Sequence, residues 1–126
     1  MTISVGQSVK AHYNSGIYIG KVVEDRGERY LVEVLAVHKH PQQGDLHHPL
    51  ESEGVLFHQR RALAFREKMN VPKNAVHSYE EEIPDFQESL RKAVDKLKEK
   101  LLKIENADFR NRALKEIGDL EKSYFK

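Results

Sequence analysis

The chain has 126 residues, enough for one compact domain with its own core and too few for two large domains. With 21 basic and 20 acidic side chains, its net charge of +1 gives no field strong enough to predict a nucleic-acid or membrane partner. The lack of cysteine excludes disulfides, Cys-based zinc sites and a Cys nucleophile. Because the start has no signal-peptide pattern and no segment approaches the roughly 20 apolar residues of a membrane span, we expect a cytoplasmic chain without direct membrane insertion.

The N-terminal third predicts a three-stranded antiparallel meander. Apolar and polar residues alternate over residues 8–13, and residues 17–23 form a second strand. Gly16 and Gly27 are expected to supply the geometry of the two turns. The run 30–37 is apolar apart from one glutamate and predicts a strand that is buried on both faces.

Strand signals resume at residues 54–59 and 62–65, although residues 60–69 could instead be helical. With residues 71–76, these short strands resemble an SH3-like barrel, in which a short 3₁₀ turn precedes the last strand. The proline-peptide groove of SH3 domains is not expected, since such grooves use a tryptophan and this chain has none.

The C-terminal third predicts two helices. Asp85 and Glu88 match a capping box, and a helix over residues 86–104 presents apolar side chains within about 100° of arc. Residues 106–108 interrupt the pattern, and a second apolar stripe follows over residues 109–124. An antiparallel helical hairpin results.

The predicted fold class is therefore α+β: a small SH3-like β-barrel over residues 1–78, followed by a C-terminal helical hairpin over residues 79–126 that packs on the barrel.

Five of the seven histidines lie between residues 38 and 58. His38 and His40 are two residues apart, hence on one face of a strand, and could both reach one metal ion. The ligands that could complete such a site are Asp45, His47, His48 and His58. We favour the alternative that these imidazoles bond to backbone groups at the end of a strand, and we expect neither a metal nor another cofactor.

No motif predicts an enzyme. The chain has no Gly-rich phosphate loop, no Gly-x-Ser-x-Gly and no His-Glu-x-x-His, so we expect no catalytic residues. Four basic residues could contact phosphates and make the chain a nucleic-acid or ribosome-associated small barrel: Arg60, Arg61, Arg66 and Lys68. The favoured interpretation is a solvated strand face, or ion pairs with Glu67 and the run of Glu80, Glu81 and Glu82, with no nucleic acid bound.

Five stretches carry a resemblance to a known family: residues 38–49 (HKHPQQGDLHHP), 55–68 (VLFHQRRALAFREK), 70–73 (NVPK), 82–85 (EIPD) and 89–93 (SLRKA). They resemble the kinase-associated protein B family of the sporulation phosphorelay in spore-forming bacteria. The resemblance implies a non-enzymatic accessory protein that activates a membrane sensor histidine kinase, KinB-like, by protein–protein contact. Since a lipoprotein of this family needs a cysteine that this chain lacks, we expect the kinase to recruit it to the membrane.

The loop of residues 41–49 is the candidate partner surface. Its two prolines, Gly44 and polar tip favour a rigid, exposed loop, which binds at a low ordering cost. The candidate partner-binding residues are Asp45, His47, His48, Phe57, His58, Arg60 and Arg61. Two matters stay open: the loop could be a turn whose side chains cap backbone groups and close the barrel, and the chain could form a homodimer.

Overall fold

The computed structural model describes residues 3–44 and 57–125. Its strands are β1 (Ser8–Tyr13), β2 (Gly16–Asp25), β3 (Arg29–Lys39), β4 (Lys68–Pro72) and β5 (Val76–Ser78). A 3₁₀ turn at Lys73–Ala75 joins the last two strands, and the helices α1 (Phe86–Leu102) and α2 (Ala107–Tyr124) follow.

The five strands form one antiparallel sheet in the order β4-β3-β2-β1-β5. The predicted meander and the 3₁₀ turn before the last strand are both confirmed. The sheet curls until β1 contacts β4, although no ladder joins β4 to β5 in the part of the chain that the structure describes. The fold is α+β, a barrel-like sheet followed by a helical hairpin, as predicted.

The two meander turns use different residues from those expected. Gly27 does adopt a positive φ of 85°, and its N–H donates to Asp25 Oδ1 at 3.0 Å. In the first turn the positive φ values belong to Asn14 (46°) and Ser15 (66°), as in a two-residue type I′ hairpin, so the prediction for Gly16 was wrong. Gly16 has another role, because a Cβ atom there would lie 2.9 Å from the hydroxyl of Tyr18.

The strands predicted for residues 54–59 and 62–65 were wrong where the structure describes them. Residues 57–65 form neither strand nor helix, which also contradicts the helical alternative for residues 60–69, and residues 54–56 lie outside the described part. Side chains of other segments satisfy the backbone of this stretch in place of a neighbouring strand. Three N–H groups donate in this way: Arg60 to Gln43 Oε1 (2.9 Å), Ala62 to the Tyr124 hydroxyl (2.8 Å) and Leu63 to the Tyr18 hydroxyl (3.3 Å).

Side-chain caps begin both helices. Asp85 accepts the N–H of Glu88 at 3.1 Å, which is one half of the predicted capping box, and Asn106 accepts the N–H of Phe109 at 3.1 Å. Caps of this kind satisfy backbone donors that have no partner inside the helix. Among the helices described, none combines the length and the apolar character that crossing a membrane requires.

The core lies between the sheet and the hairpin. Helix α1 packs on β3 and contacts α2. The buried Ser89 fixes this contact, since its Oγ accepts the N–H of Val37 at 2.9 Å and donates to the carbonyl of Phe86 at 2.8 Å. The predicted stripe of α2 is buried as Phe109, Ala113, Ile117 and Leu120.

Candidate functional site at the junction of sheet and hairpin

Gln43 joins two chain segments, residues 40–44 just after β3 and residues 57–62. Its side chain is buried, with Nε2 donating to the carbonyl of Arg60 at 2.9 Å and Oε1 accepting the N–H of Arg60 at 2.9 Å. The same Nε2 donates to the carbonyl of Pro41 at 3.1 Å. The amide thus pairs with one residue's backbone as a neighbouring strand would. The N–H of Gly44 adds a bond to the carbonyl of His58 at 2.9 Å.

A chain of hydrogen bonds connects this junction to the end of α2. His40 is 1 % exposed, and its Nδ1 lies 2.9 Å from the carbonyl oxygen of Pro41. A carbonyl oxygen only accepts, so Nδ1 carries the hydrogen and Nε2 accepts from the Tyr124 hydroxyl at 2.9 Å. That hydroxyl in turn accepts the N–H of Ala62 at 2.8 Å.

The protonation states suit this chain of bonds. Burial lowers the pKa of His40, against an opposing effect of its bond to Pro41, and this favours the neutral imidazole. Burial also raises the pKa of Tyr124, so its hydroxyl keeps the proton that it donates. The network is therefore complete with neutral groups.

An aromatic contact holds residue 57 against α2. The rings of Phe57 and Phe109 have centroids 5.6 Å apart, and the guanidinium of Arg112 lies 4.9 Å from the Phe57 centroid. Gly44 passes beside both rings with φ of 101°, and a Cβ atom there would lie 3.0 Å from Phe109 Cε2. The site needs glycine for both its conformation and its space.

A cavity of about 410 Å³ opens between the end of β3 and α1. Its apolar lining residues are Ile17, Ala93, Leu97, Leu101, Ile104 and Phe109. Its polar lining residues are mainly basic: His38, Lys39, His40, Gln42, Gln43, Lys96 and Lys100. Leu97, at the centre of the predicted α1 stripe, is consequently only half-buried.

Positive charges act on His38 in the lining of the cavity. Partial burial and the positive charges of Lys10 and Lys96 lower the pKa of His38 below its ordinary value. Lys39, Lys96 and Lys100 form no ion pair among the residues that the structure describes. The cavity thus combines apolar side chains with lysines that have no ion-pair partner in the described part of the chain.

The candidate partner-binding residues fall into three groups. Asp45, His47 and His48 lie outside the described residues. Phe57 and Arg60 make internal contacts, and Arg60 donates to the carbonyls of Gln42 (3.3 Å) and Gly44. His58 and Arg61 are exposed.

Arg61 is exposed but already held in place. Its guanidinium lies 4.8 Å from the Tyr124 ring centroid and donates to Ser123 Oγ at 3.0 Å. Between Phe57 and Arg61, Gln59 donates to the carbonyl of Glu116 at 3.2 Å. Alternate residues of this segment therefore contact α2 along its length.

The described histidines do not converge on a metal site. His38 is exposed, whereas His40 is buried with both ring nitrogens engaged. Within residues 3–44 and 57–125, no group of three or more His, Asp or Glu side chains could hold a metal ion. The bond of His40 to the backbone of Pro41 agrees with the favoured interpretation of this imidazole.

The basic residues of the nucleic-acid alternative are largely engaged elsewhere. Arg60 binds backbone carbonyls, and Arg66 pairs with Glu33 at 3.5 Å rather than with the glutamates expected. Sequence reasoning missed the roles of Gln43 and Tyr124. The only sequence signal was the position of Tyr124 at the end of the α2 stripe, where a hydroxyl needs a partner if it is buried.

Comparisons with known proteins agree with one another. The family model described as kinase-associated protein B matches residues 13–125. The kinase-associated lipoprotein B of Bacillus subtilis (strain 168) is 43 % identical over 124 residues, which are 98 % of this chain and 96 % of the relative. A crystal structure of kinase-associated protein B from Bacillus cereus matches with a TM-score of 0.82 and 37 % identity, over 98 % of each chain. The likeness spans sheet, junction and hairpin, and the chain belongs to the kinase-associated protein B family.

Proposed function

We propose that this chain is a non-enzymatic accessory protein that activates a sensor histidine kinase of the sporulation phosphorelay by direct contact. The partner is a KinB-like membrane kinase, which recruits the chain to the cytoplasmic face of the membrane. The observation that carries the proposal is membership, over residues 13–125, of a family whose relatives are named for their association with a kinase.

The internal use of the buried polar groups supports a non-enzymatic role. His40 has a partner at each ring nitrogen, and the hydroxyl of Ser89 is engaged with Val37 and Phe86. A general base or nucleophile needs a group that is free to reach a substrate. Neither side chain is free in this sense, and both stabilise the contact between sheet and hairpin.

An activator without chemistry acts by differential binding. It must bind the active state of the kinase more tightly than the inactive state, and each tenfold shift in population requires about 1.4 kcal/mol of difference. A preformed surface serves this purpose, since little binding energy is then spent on ordering.

The proposed contact surface is the edge formed by residues 57–61, together with Asp45, His47 and His48. His58 and Arg61 supply exposed groups, and Arg61 is held in advance by Tyr124 and Ser123. Phe57 and Arg60 support this edge through their internal contacts. An aromatic-backed arginine is a frequent hot-spot residue at protein interfaces.

Co-sedimentation with membrane vesicles tests the association. Vesicles that contain the KinB-like kinase from the same organism should carry the chain down, and kinase-free vesicles should not. The variant His58→Ala combined with Arg61→Ala should reduce the bound fraction severalfold. Lys115→Ala, an exposed position on α2 outside the proposed surface, is the matched control and should bind as the parent chain does. Equal recovery with kinase-free vesicles would refute the proposal.

A further inference from the structure

The cavity between β3 and α1 has the size and the wall of a small-molecule site. Its volume of about 410 Å³ falls within the roughly 300–1,000 Å³ of typical ligand pockets. Leu97 and Leu101 line it on successive turns of α1, and Ile104 lines it just after the end of that helix. This wall offers hydrocarbon contact to a ligand but no hydrogen bond.

Three lysines line the same cavity. Lys96 and Lys100 are one helical turn apart on α1, and Lys39 is the last residue of β3. No Asp or Glu is among the described residues that line the cavity, and the three lysines form no ion pair in that part of the chain. The lowered pKa of His38, due to burial and then to Lys10 and Lys96, agrees with a field that favours an anion.

We propose that this cavity binds a small amphiphilic anion, with a carboxylate or phosphate head at Lys39, Lys96 and Lys100 and a short hydrocarbon chain against the α1 wall. The positive charge of these three lysines selects the anionic head, and the apolar lining residues select the hydrocarbon. The proposal goes beyond kinase association and does not depend on it, because binding is a property of the isolated chain.

Calorimetric titration of the full chain with octanoate tests the proposal. Octanoate should bind saturably with a stoichiometry of one, and acetate should not. Lengthening the chain from hexanoate to octanoate should raise the affinity by up to about fifteenfold, since each of the two added methylenes contributes up to about fourfold. Amide shifts in an NMR titration should concentrate at the end of β3 and along α1.

Charge variants test the role of the lysines. Lys96→Gln with Lys100→Gln should weaken octanoate binding by about five- to tenfold, as expected for two partly solvated ion pairs. Lys115→Gln removes an exposed charge from α2, outside the cavity lining, and should leave the affinity unchanged.

Probes with different head groups complete the experiment. Octyl phosphate compared with octanoate shows which anionic head is preferred, and either preference supports the proposal. Octyltrimethylammonium carries the same chain with a cation and should not compete. The absence of saturable octanoate binding at millimolar concentration, equal binding of octyltrimethylammonium, or equal affinities of the lysine double variant and the control would overturn the proposal.

Discussion

Replacement of Tyr124 by Phe should destabilise the fold, although it removes only one oxygen atom. The hydroxyl accepts the N–H of the buried Ala62 at 2.8 Å and donates to the buried His40 at 2.9 Å. Without it, both groups lose their partner while they stay in place. The variant therefore tests whether these bonds hold the end of α2 on the junction.

The expected magnitude follows from the two unpaired groups. A buried polar group without a partner costs about 1–3 kcal/mol, so the two together set an upper bound of about 6 kcal/mol. Tyr124 is only half-buried and lies at the end of α2, where water can replace part of the lost bonding. We expect a loss of about 2–3 kcal/mol in the free energy of unfolding.

Urea unfolding at neutral pH measures this loss. The midpoint should fall without a change in the m-value, since the surface exposed on unfolding is the same. Tyr79→Phe is the matched control, because the hydroxyl of Tyr79 donates to the exposed carbonyl of Glu82, at 3.2 Å. It should change the stability by less than about 0.5 kcal/mol. Equal midpoints for the two variants would refute the structural role assigned to Tyr124.

Three further outcomes are expected. First, the fold lowers the pKa of His40 from its ordinary value of 6.5, so the unfolded chain takes up the proton at a higher pH than the folded chain. The contribution of His40 to stability should therefore be complete above pH 6.5. It should be lost as the pH falls from 6.5 through the lowered pKa. Second, Gly20→Ala should lower the free energy of unfolding by at least about 2 kcal/mol, because the new Cβ would lie 2.0 Å from a backbone oxygen of β3. Gly118→Ala has open space around it in α2 and should raise the free energy of unfolding by about 0.5–1 kcal/mol. Third, Ile117→Ala, at a fully buried position, should cost about 2–5 kcal/mol, and Leu97→Ala, at the cavity wall, about 1 kcal/mol.

Each of these outcomes has a direct measurement. Urea unfolding at several pH values should give a smaller loss between pH 7.5 and 5.5 for His40→Gln than for the parent chain; equal slopes would contradict the assignment. Thermal unfolding compares the two glycine variants, and a stable Gly20→Ala would contradict the close approach of β2 and β3. Similar losses in the free energy of unfolding for the Ile117 and Leu97 variants would contradict an open cavity beside Leu97.

The regular part of the fold was predictable because its causes are local. Alternation over residues 8–13, the turn at Gly27 and the cap at Asp85 each act within a few positions of the chain. The first turn was misassigned because the sequence offers three neighbouring candidates for a positive φ: Asn14, Ser15 and Gly16. The prediction favoured the glycine, whereas the structure has positive φ at Asn14 and Ser15.

The junction was not predictable because its bonds join distant residues. Gln43 pairs with the backbone of Arg60, and His40 with a hydroxyl 84 positions further along the chain. Such side-chain bonds leave no periodic pattern, and they take the place of the ladder that the apolar residues 62–65 suggested. The cavity likewise depends on how far α1 stands from the end of β3. The number of histidines raised the possibility of a metal site, but both ring nitrogens of His40 have internal partners.

The most direct test of the proposed function is the autophosphorylation rate of the KinB-like kinase in reconstituted vesicles. Labelled ATP measures the initial rate while the concentration of the chain is raised, and filtration measures the bound fraction in parallel. The proposal predicts that the rate rises and saturates together with binding, that the variant His58→Ala with Arg61→Ala needs a higher concentration, and that the chain itself takes up no label. A rate that stays constant while the chain is bound would contradict activation by contact.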